Sequence, residues 1–349
     1  MTLHAHLACP DCAEQPVLDA QADDSRMCPQ CGRVFLSHAG IWQCLPSTVA
    51  QAAIKDSEKQ GWQAVYPAHL DDVRESYLQY PYVEEADGVT FYRHAAQQLE
   101  IAQKLVGPIE GKTGLDMGGG FGWAAYRFTQ SGAQMTLADY NDSTPSGLGG
   151  AQVYLDAGHA IQRVRVDAER LPFAAAQFDF VFSCSFLHHL TDLDQCLQHV
   201  GRVLKPGGFY IAIMEAFCPW WSSRDRALQN ATDIERFQAS GINEQVFYQS
   251  EYLRAFRQAG LQVSVLNPRW DAVTDDGRIE YGRLVSSSDF EPELLANRRP
   301  RSGATGAIAR AILTSGVWRV AAAPPVFRLL RTPLLTGSQK LRVLVGRKV

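Results

Sequence analysis

No run of 18 or more apolar residues occurs in the 349-residue chain, which excludes a helix that spans a membrane. The first ten residues lack the basic stretch followed by an apolar one that marks a secretory signal. Eight cysteines are too few for a disulfide scaffold of this size, so reduced thiols and a cytoplasmic location are expected. Nor is positive charge in excess. A net charge of −4 argues against a chain that binds a polyanion along its whole length. With 46% hydrophobic and 20% charged residues, the composition is that of a globular protein, long enough for one large domain and a small module.

Four of the cysteines are concentrated near the start. Cys9-Pro-Asp-Cys12 and Cys28-Pro-Gln-Cys31 are two C-x-x-C knuckles at zinc-ribbon spacing. Each knuckle directs two thiolates at one ion, and the hairpin between them brings the pairs together as a tetrahedral S4 site. A segment of 1–46 buries too little core to fold unaided, so Zn2+ would hold it together. Four cysteines leave no open position, which makes the metal structural. Chelation is therefore expected to unfold the ribbon and leave the rest of the chain working. Cys44, just outside the pattern, has the setting of a buried thiol.

Residues 47–108 are polar and helix-like, punctuated by Tyr77, Tyr80, Tyr82, Phe91 and Tyr92, with apolar residues at helical spacing over 89–106. Two readings stay open. The segment is a lid whose aromatics cover a ligand, or a helix packed on a sheet edge. From Gly114 the pattern changes to alternating strands and helices, with strands expected at 134–139, 164–166, 178–184, 209–214, 262–266 and 341–346. The run 178–184 is apolar apart from Asp179 and Ser183, as suits a central parallel strand.

The chemistry gathers at the carboxyl ends of these strands, where open α/β sheets bind ligands. Asp116, Gly118, Gly120 and Gly122 form an acid followed by G-x-G-x-G between strand and helix. Glycines let the backbone pass close to a nucleotide-like ligand, and the helix start supplies free N–H groups. The spacing is not the G-x-G-x-x-G of dinucleotide folds, and the acid suits a ligand carrying an amino group. Asp139, ending the next strand, can accept two ribose hydroxyls. The short acidic loop at Asp167 and Ala168 can meet an adenine amino group. Phe178 to Leu190 runs through Ser183 to the pair His188 and His189.

Together these residues resemble the class I S-adenosylmethionine (SAM)-dependent methyltransferases, especially those of ubiquinone and menaquinone biosynthesis. The resemblance runs over 114–266 and includes Lys205-Pro206-Gly207-Gly208. It implies a Rossmann-like, seven-stranded α/β sheet whose last strand is antiparallel, and SAM as methyl donor. It places Asp116, Gly118, Gly120 and Gly122 around the amino acid part of SAM and Asp139 at the ribose. Asp167 and Ala168 fall at the adenine, and Ser183 near the sulfonium. His188 and His189 stand where the family's substrate pocket opens, and an imidazole titrates in the range useful to a base. Glu215 is a second candidate. The catalytic domain would cover 109–349, with a substrate cap at 217–249 that includes Trp220, Trp221, Arg224, Arg226, Asn230 and Asn243.

After Glu293 there is no further acid and there are 11 lysines and arginines, among them Arg310, Arg319, Arg328 and Arg331, interleaved with Trp318 and leucines. If the closing strand lies at 341–346, residues of about 269–340 are a basic insertion. That profile suits an interfacial element at the inner membrane face, a basic surface packed on the acidic core, or an RNA contact. The expected reaction is methyl transfer to a small-molecule or glycan/glycolipid acceptor, at a hydroxyl. An rRNA base methyltransferase with a zinc-ribbon recognition module and an inactive SAM-fold adaptor are the alternatives, and nucleic acid is the less favoured partner.

Overall fold

A parallel strand covered on both faces must be apolar on both, and the sheet is centred on strands of that kind. The computed structural model describes residues 5–66, 69–83, 89–218, 222–229, 234–268, 271–280 and 342–349. The expected basic insertion falls outside the described residues except for 271–280, and Trp220, Trp221 and Asn230 of the expected cap also fall outside them.

The ribbon contributes β1 (Asp19–Ala22), β2 (Ser25–Met27), β3 (Val34–His38) and β4 (Ile41–Gln43). Three helices follow: α1 (Ala52–Val65), α2 (Arg74–Gln79) and α3 (Val89–Val106). Alternation then begins with β5 (Thr113–Met117), α4 (Trp123–Gln130), β6 (Gln134–Asp139), α5 (Gln152–Asp156), β7 (Ile161–Arg165), β8 (Phe178–Cys184), α6 (Leu193–Val203) and β9 (Leu204–Glu215). Next come β10 (Phe217–Cys218), α7 (Arg224–Gln229), α8 (Ile234–Ala239), β11 (Phe247–Tyr248), α9 (Gln249–Gln258) and β12 (Leu261–Leu266). A small hairpin, β13 (Ala272–Val273) and β14 (Ile279–Glu280), precedes β15 (Arg342–Lys348).

The main sheet has the order β1-β2-β3-β4-β7-β6-β5-β8-β9-β15-β12. From β7 to β12 this is the expected methyltransferase sheet, parallel except for β15, which runs antiparallel to both β9 and β12. The sheet does not stop at β7. Strand β4 pairs parallel with it, Ile41 opposite Arg163 and Gln43 opposite Arg165, so the ribbon extends the sheet. One core lies between the sheet and α6, α9 and the ribbon, with Phe173, Phe178, Leu197 and Phe256 fully enclosed. The other lies under α3 and α4 around Leu99, Phe128, Phe180 and Phe182. From Phe180 onward, successive apolar residues of β8 enter opposite cores, and Asp179 and Ser183 are the strand's polar residues.

Local signals set the ends. Asp192 caps α6 by accepting from the Gln195 N–H, and Gly207 takes φ 78° near the start of β9. No helix among the described residues is long and apolar enough to cross a membrane.

Candidate functional site

The glycine loop follows β5 at the centre of the carboxyl edge. Gly118, Gly120 and Gly122 have φ of 65°, 54° and 84°, a region that side chains disfavour. Their surroundings differ. A Cβ on Gly118 would fall inside the Phe186 ring, and one on Gly122 would strike Leu137, so both are packed against the protein. A Cβ on Gly120 would meet only the Ser146 carbonyl oxygen, at 3.4 Å. Gly120 therefore faces open space.

Asp139, half-buried at the end of β6, turns its carboxylate to this loop. One oxygen accepts the Gly120 N–H at 2.8 Å and the other the Asn141 N–H at 2.7 Å. Burial pushes its carboxyl up to about 6, against the pull of those two N–H groups. Asp116 lies beneath the loop. It is 1% exposed, accepts the Ala125 N–H at 2.9 Å, and is pushed by burial up to about 7. Its engaged oxygen supports the start of α4.

The expected adenine loop is occupied from above. Lys55 Nζ of α1 lies 2.9 Å from both oxygens of Asp167 and 2.8 Å from Glu169. Glu169 also accepts from the Thr191 hydroxyl and from the N–H groups of Thr191 and Asp192. Burial would raise its carboxyl, but Lys55 and Thr191 hold it below the usual range. Ala168 begins a short 310 turn beside them. Ser183 departs from its expected place. It is fully enclosed, with its hydroxyl 2.9 Å from that of Tyr210, because position 183 points into the core. Cys184 and Ser185 stand at the edge instead, Ser185 with a φ of 53°.

His188 and His189 form a 310 turn after β8, with ring centres 4.4 Å apart. His188 Nδ1 is 2.9 Å from Glu215, whose other oxygen accepts the N–H groups of Phe186 and Leu187. His189 Nδ1 is 2.9 Å from Glu58 of α1, and Trp62 packs edge-on against its ring. Burial alone would lower His189, but Glu58, Glu244 and Glu215 push it up to about 9, so it carries its proton at neutral pH. That charge removes His189 from the role of free base.

Helix α1 thus touches the loops after β6, β7 and β8. Lys55 reaches the loop after β7, Asp56 and Lys59 reach Tyr140 and Asp142 after β6, and Glu58 and Trp62 reach His189. Tyr77 stacks on Phe121 of the glycine loop at 3.9 Å, and Tyr66 and Tyr80 flank the same ring. Sequence reasoning passed over Lys55, Glu58 and Glu244. The first two had a signal, since 55, 58, 59, 62 and 66 make one stripe of a helix.

Residues 115–212 match the methyltransferase domain family model. The chain carries a class I SAM-dependent methyltransferase domain. Over 110 residues it is 39% identical to the ubiquinone/menaquinone biosynthesis C-methyltransferase UbiE of Pseudomonas putida (strain GB-1), covering 30% of this chain and 42% of that protein. Over 144 residues it is 33% identical to the enzyme of the same name from Ralstonia pickettii (strain 12J), covering 40% of this chain and 55% of that one. The chain thus spans about half the length of the curated relatives it matches, or less. A geranyl diphosphate C-methyltransferase from Streptomyces coelicolor A3(2), solved with Mg2+, geranyl diphosphate and S-adenosyl-L-homocysteine (SAH), superposes with a TM-score of 0.52 at 16% identity. It covers 86% of this chain and 100% of its own, a likeness of fold. In this methyltransferase domain Gly120 has an open face beside the Asp139 carboxylate, whereas Asp116 and Ser183 are enclosed in the fold.

At the ribbon the four Sγ atoms of Cys9, Cys12, Cys28 and Cys31 lie within 4.8 Å of one another, with Cys9 to Cys31 at 3.8 Å and Cys12 to Cys28 at 3.7 Å. Thiolates ~2.3 Å from a tetrahedral Zn2+ stand ~3.8 Å apart, so the cluster fits the ion. Burial pushes the separate Cys44 thiol up to about 12.

Proposed function

We propose that the chain transfers a methyl group from SAM to a small-molecule acceptor that gives up a proton, a hydroxyl or an acidic carbon. The observation that carries this reading is the buried His188–Glu215 pair, set beside the glycine loop through Phe186. SAM supplies an electrophilic methyl group on a sulfonium. The rest is alignment, which accounts for most of the rate in a displacement of this kind. Asp139 would hold the ribose hydroxyls, Gly120 would let the ligand approach the backbone, and the loop at Asp167 and Ala168 would border the adenine. Glu215 fixes the tautomer of His188 by accepting the hydrogen bond from its Nδ1–H, so that Nε2 presents a lone pair to the acceptor. Helix α1 and the aromatics around Phe121 act as a lid that excludes water.

The carbon alternative is supported by the names of the relatives, both C-methyltransferases. We also propose Zn2+ as the structural metal of a ribbon module over 1–46. The test is incubation of the protein with radiolabelled SAM and fractionated extract, separating lipid, glycan, RNA and small molecules. Label is expected in a small-molecule or lipid fraction and lost with Glu215→Gln, which keeps the N–H acceptor for Phe186 and Leu187 but reverses the tautomer. Label confined to RNA would refute the acceptor class.

A further inference from the structure

Apart from the ribbon, one other cluster of metal-ligating side chains occurs among the described residues, at the carboxyl edge. The Nδ1 atoms of His188 and His189 are each turned to a carboxylate, Glu215 and Glu58, at 2.9 Å. The Nε2 atoms face the other way and converge on Glu244, one oxygen 3.7 Å from His188 and the other 3.8 Å from His189. His188, His189 and Glu244 each offer a ligand atom, all within 4.8 Å of one another, and their side chains are only 6%, 9% and 16% exposed. The backbone around them is fixed. The Gln245 N–H donates to the His188 carbonyl, Asn243 Nδ2 to that of His189, and Gln245 Nε2 to that of Leu190.

Two properties distinguish this cluster from an ordinary histidine–carboxylate pair. The first is orientation. An imidazole whose Nδ1 is held by a carboxylate presents Nε2 as a lone-pair donor, the usual arrangement of histidines that ligate metals. His188 has it; His189 Nδ1 lies 2.9 Å from Glu58 without hydrogen-bond geometry, and the ion must displace the proton that His189 carries. Both Nε2 atoms aim at the same carboxylate. The second is charge. Glu58, Glu215 and Glu244 surround two imidazoles, and among the described residues no lysine or arginine is paired with any of the three. A divalent cation between the Nε2 atoms and Glu244 offsets that charge.

We propose that His188, His189 and Glu244 bind one divalent first-row transition-metal ion, with Glu58 and Glu215 orienting the two imidazoles. Two nitrogens and one carboxylate suit zinc, cobalt, iron, nickel or manganese better than the all-oxygen preferences of calcium or magnesium. Donors ~2.1 Å from a tetrahedral ion stand ~3.4 Å apart, so both histidine-to-Glu244 distances close with shifts of a few tenths of an ångström. Three protein ligands leave a position open, and an oxygen of the acceptor fills it. The ion then holds the group that His188 would otherwise face directly. This use of the ion rests on the methyltransferase reading, whereas binding of the ion does not.

The test uses the full chain with its ribbon filled by one equivalent of zinc. It is titrated with Co2+, followed by absorption and calorimetry, and SAH binding is measured in parallel. One Co2+ per chain is expected, with the spectrum of nitrogen and oxygen ligation and without sulfur charge transfer. Glu244→Ala and His189→Ala are expected to weaken Co2+ binding at least tenfold while the fold, read by circular dichroism, holds. Glu215→Gln should weaken it about tenfold. Absence of Co2+ binding beyond the ribbon overturns the proposal, as does unchanged binding in Glu244→Ala and His189→Ala. Co2+ binding without SAH binding would support the metal site and count against the SAM reading alone.

Discussion

Replacing Gly120 separates a ligand-binding loop from an ordinary turn. Its φ of 54° imposes a backbone cost of about 1–2 kcal/mol on any L side chain. The structure adds no clash, because a Cβ there meets only the Ser146 carbonyl at 3.4 Å. Gly120→Leu should therefore fold, with a melting temperature lower by a few degrees. Gly118→Ala is the contrasting variant. It has the same backbone cost, and its Cβ must also displace the Phe186 ring, so its loss of stability should be larger. If the space above Gly120 is where the ligand passes, Gly120→Leu loses SAH binding by at least a hundredfold while it remains folded. Thermal unfolding and calorimetric titration with SAH, run on the same preparations, read the two effects separately. A folded Gly120→Leu protein that binds SAH with native affinity refutes the assignment of the loop.

The carboxyl of Asp139, raised to about 6, sets a pH limit. Ribose hydroxyls donate to the ionised form, so SAH affinity should be full above about pH 7 and fall roughly tenfold per unit as pH drops through 6. Asp139→Asn should remove most of that dependence, and a flat profile in the native protein would rule the role out. His188→Ala is expected to cut turnover about a hundredfold or more with SAH affinity retained, which single-turnover assays with labelled SAM can measure. Equal turnover would leave alignment alone as the source of rate.

The glycine loop, Asp139 and the last strand were legible because each has a local signature, whereas the antiparallel direction of that strand came from the family resemblance. Glycine spacing, a strand-ending acid and the period of an apolar strand survive in any window of sequence. The failures are those of direction and distance. Ser183 and Cys184 are adjacent in sequence, and only the register of β8 against β9 decides that Ser183 enters the core. Lys55 lies 112 residues from Asp167, and no periodicity announces that the two meet. Glu244 stands in a turn with no pattern of its own, and becomes visible only when 243–245 binds the carbonyls of 188–190. The loops at the carboxyl edge were thus readable, while what closes over them depended on tertiary contact.

The contacts of the ribbon bear on the expectation that it is independent of the rest of the chain. Its knuckles are where the spacing put them, yet the module is spliced to the stretch that holds the acidic loop. The Ala8 N–H donates to the Pro172 carbonyl at 2.8 Å, Gln15 Nε2 to that of Leu171 at 3.1 Å, and the Cys44 N–H to that of Arg165 at 3.0 Å. The Arg170 guanidinium in turn donates to the carbonyls of Pro10 and Asp11, inside the first knuckle. Asp167 and Glu169 lie between these anchors. If Zn2+ fills the ribbon as proposed, its loss would free the knuckle, and with it the contacts to 165–172. Coupling of this kind is commonly worth about 1–3 kcal/mol, or roughly 5- to 150-fold in affinity. Cys28→Ser, which spares the histidine cluster, should therefore weaken SAH binding about tenfold and raise hydrogen exchange over 165–172. Native SAH affinity in a Cys28→Ser protein shown to lack ribbon zinc would return the ribbon to the independent module that its spacing alone implied.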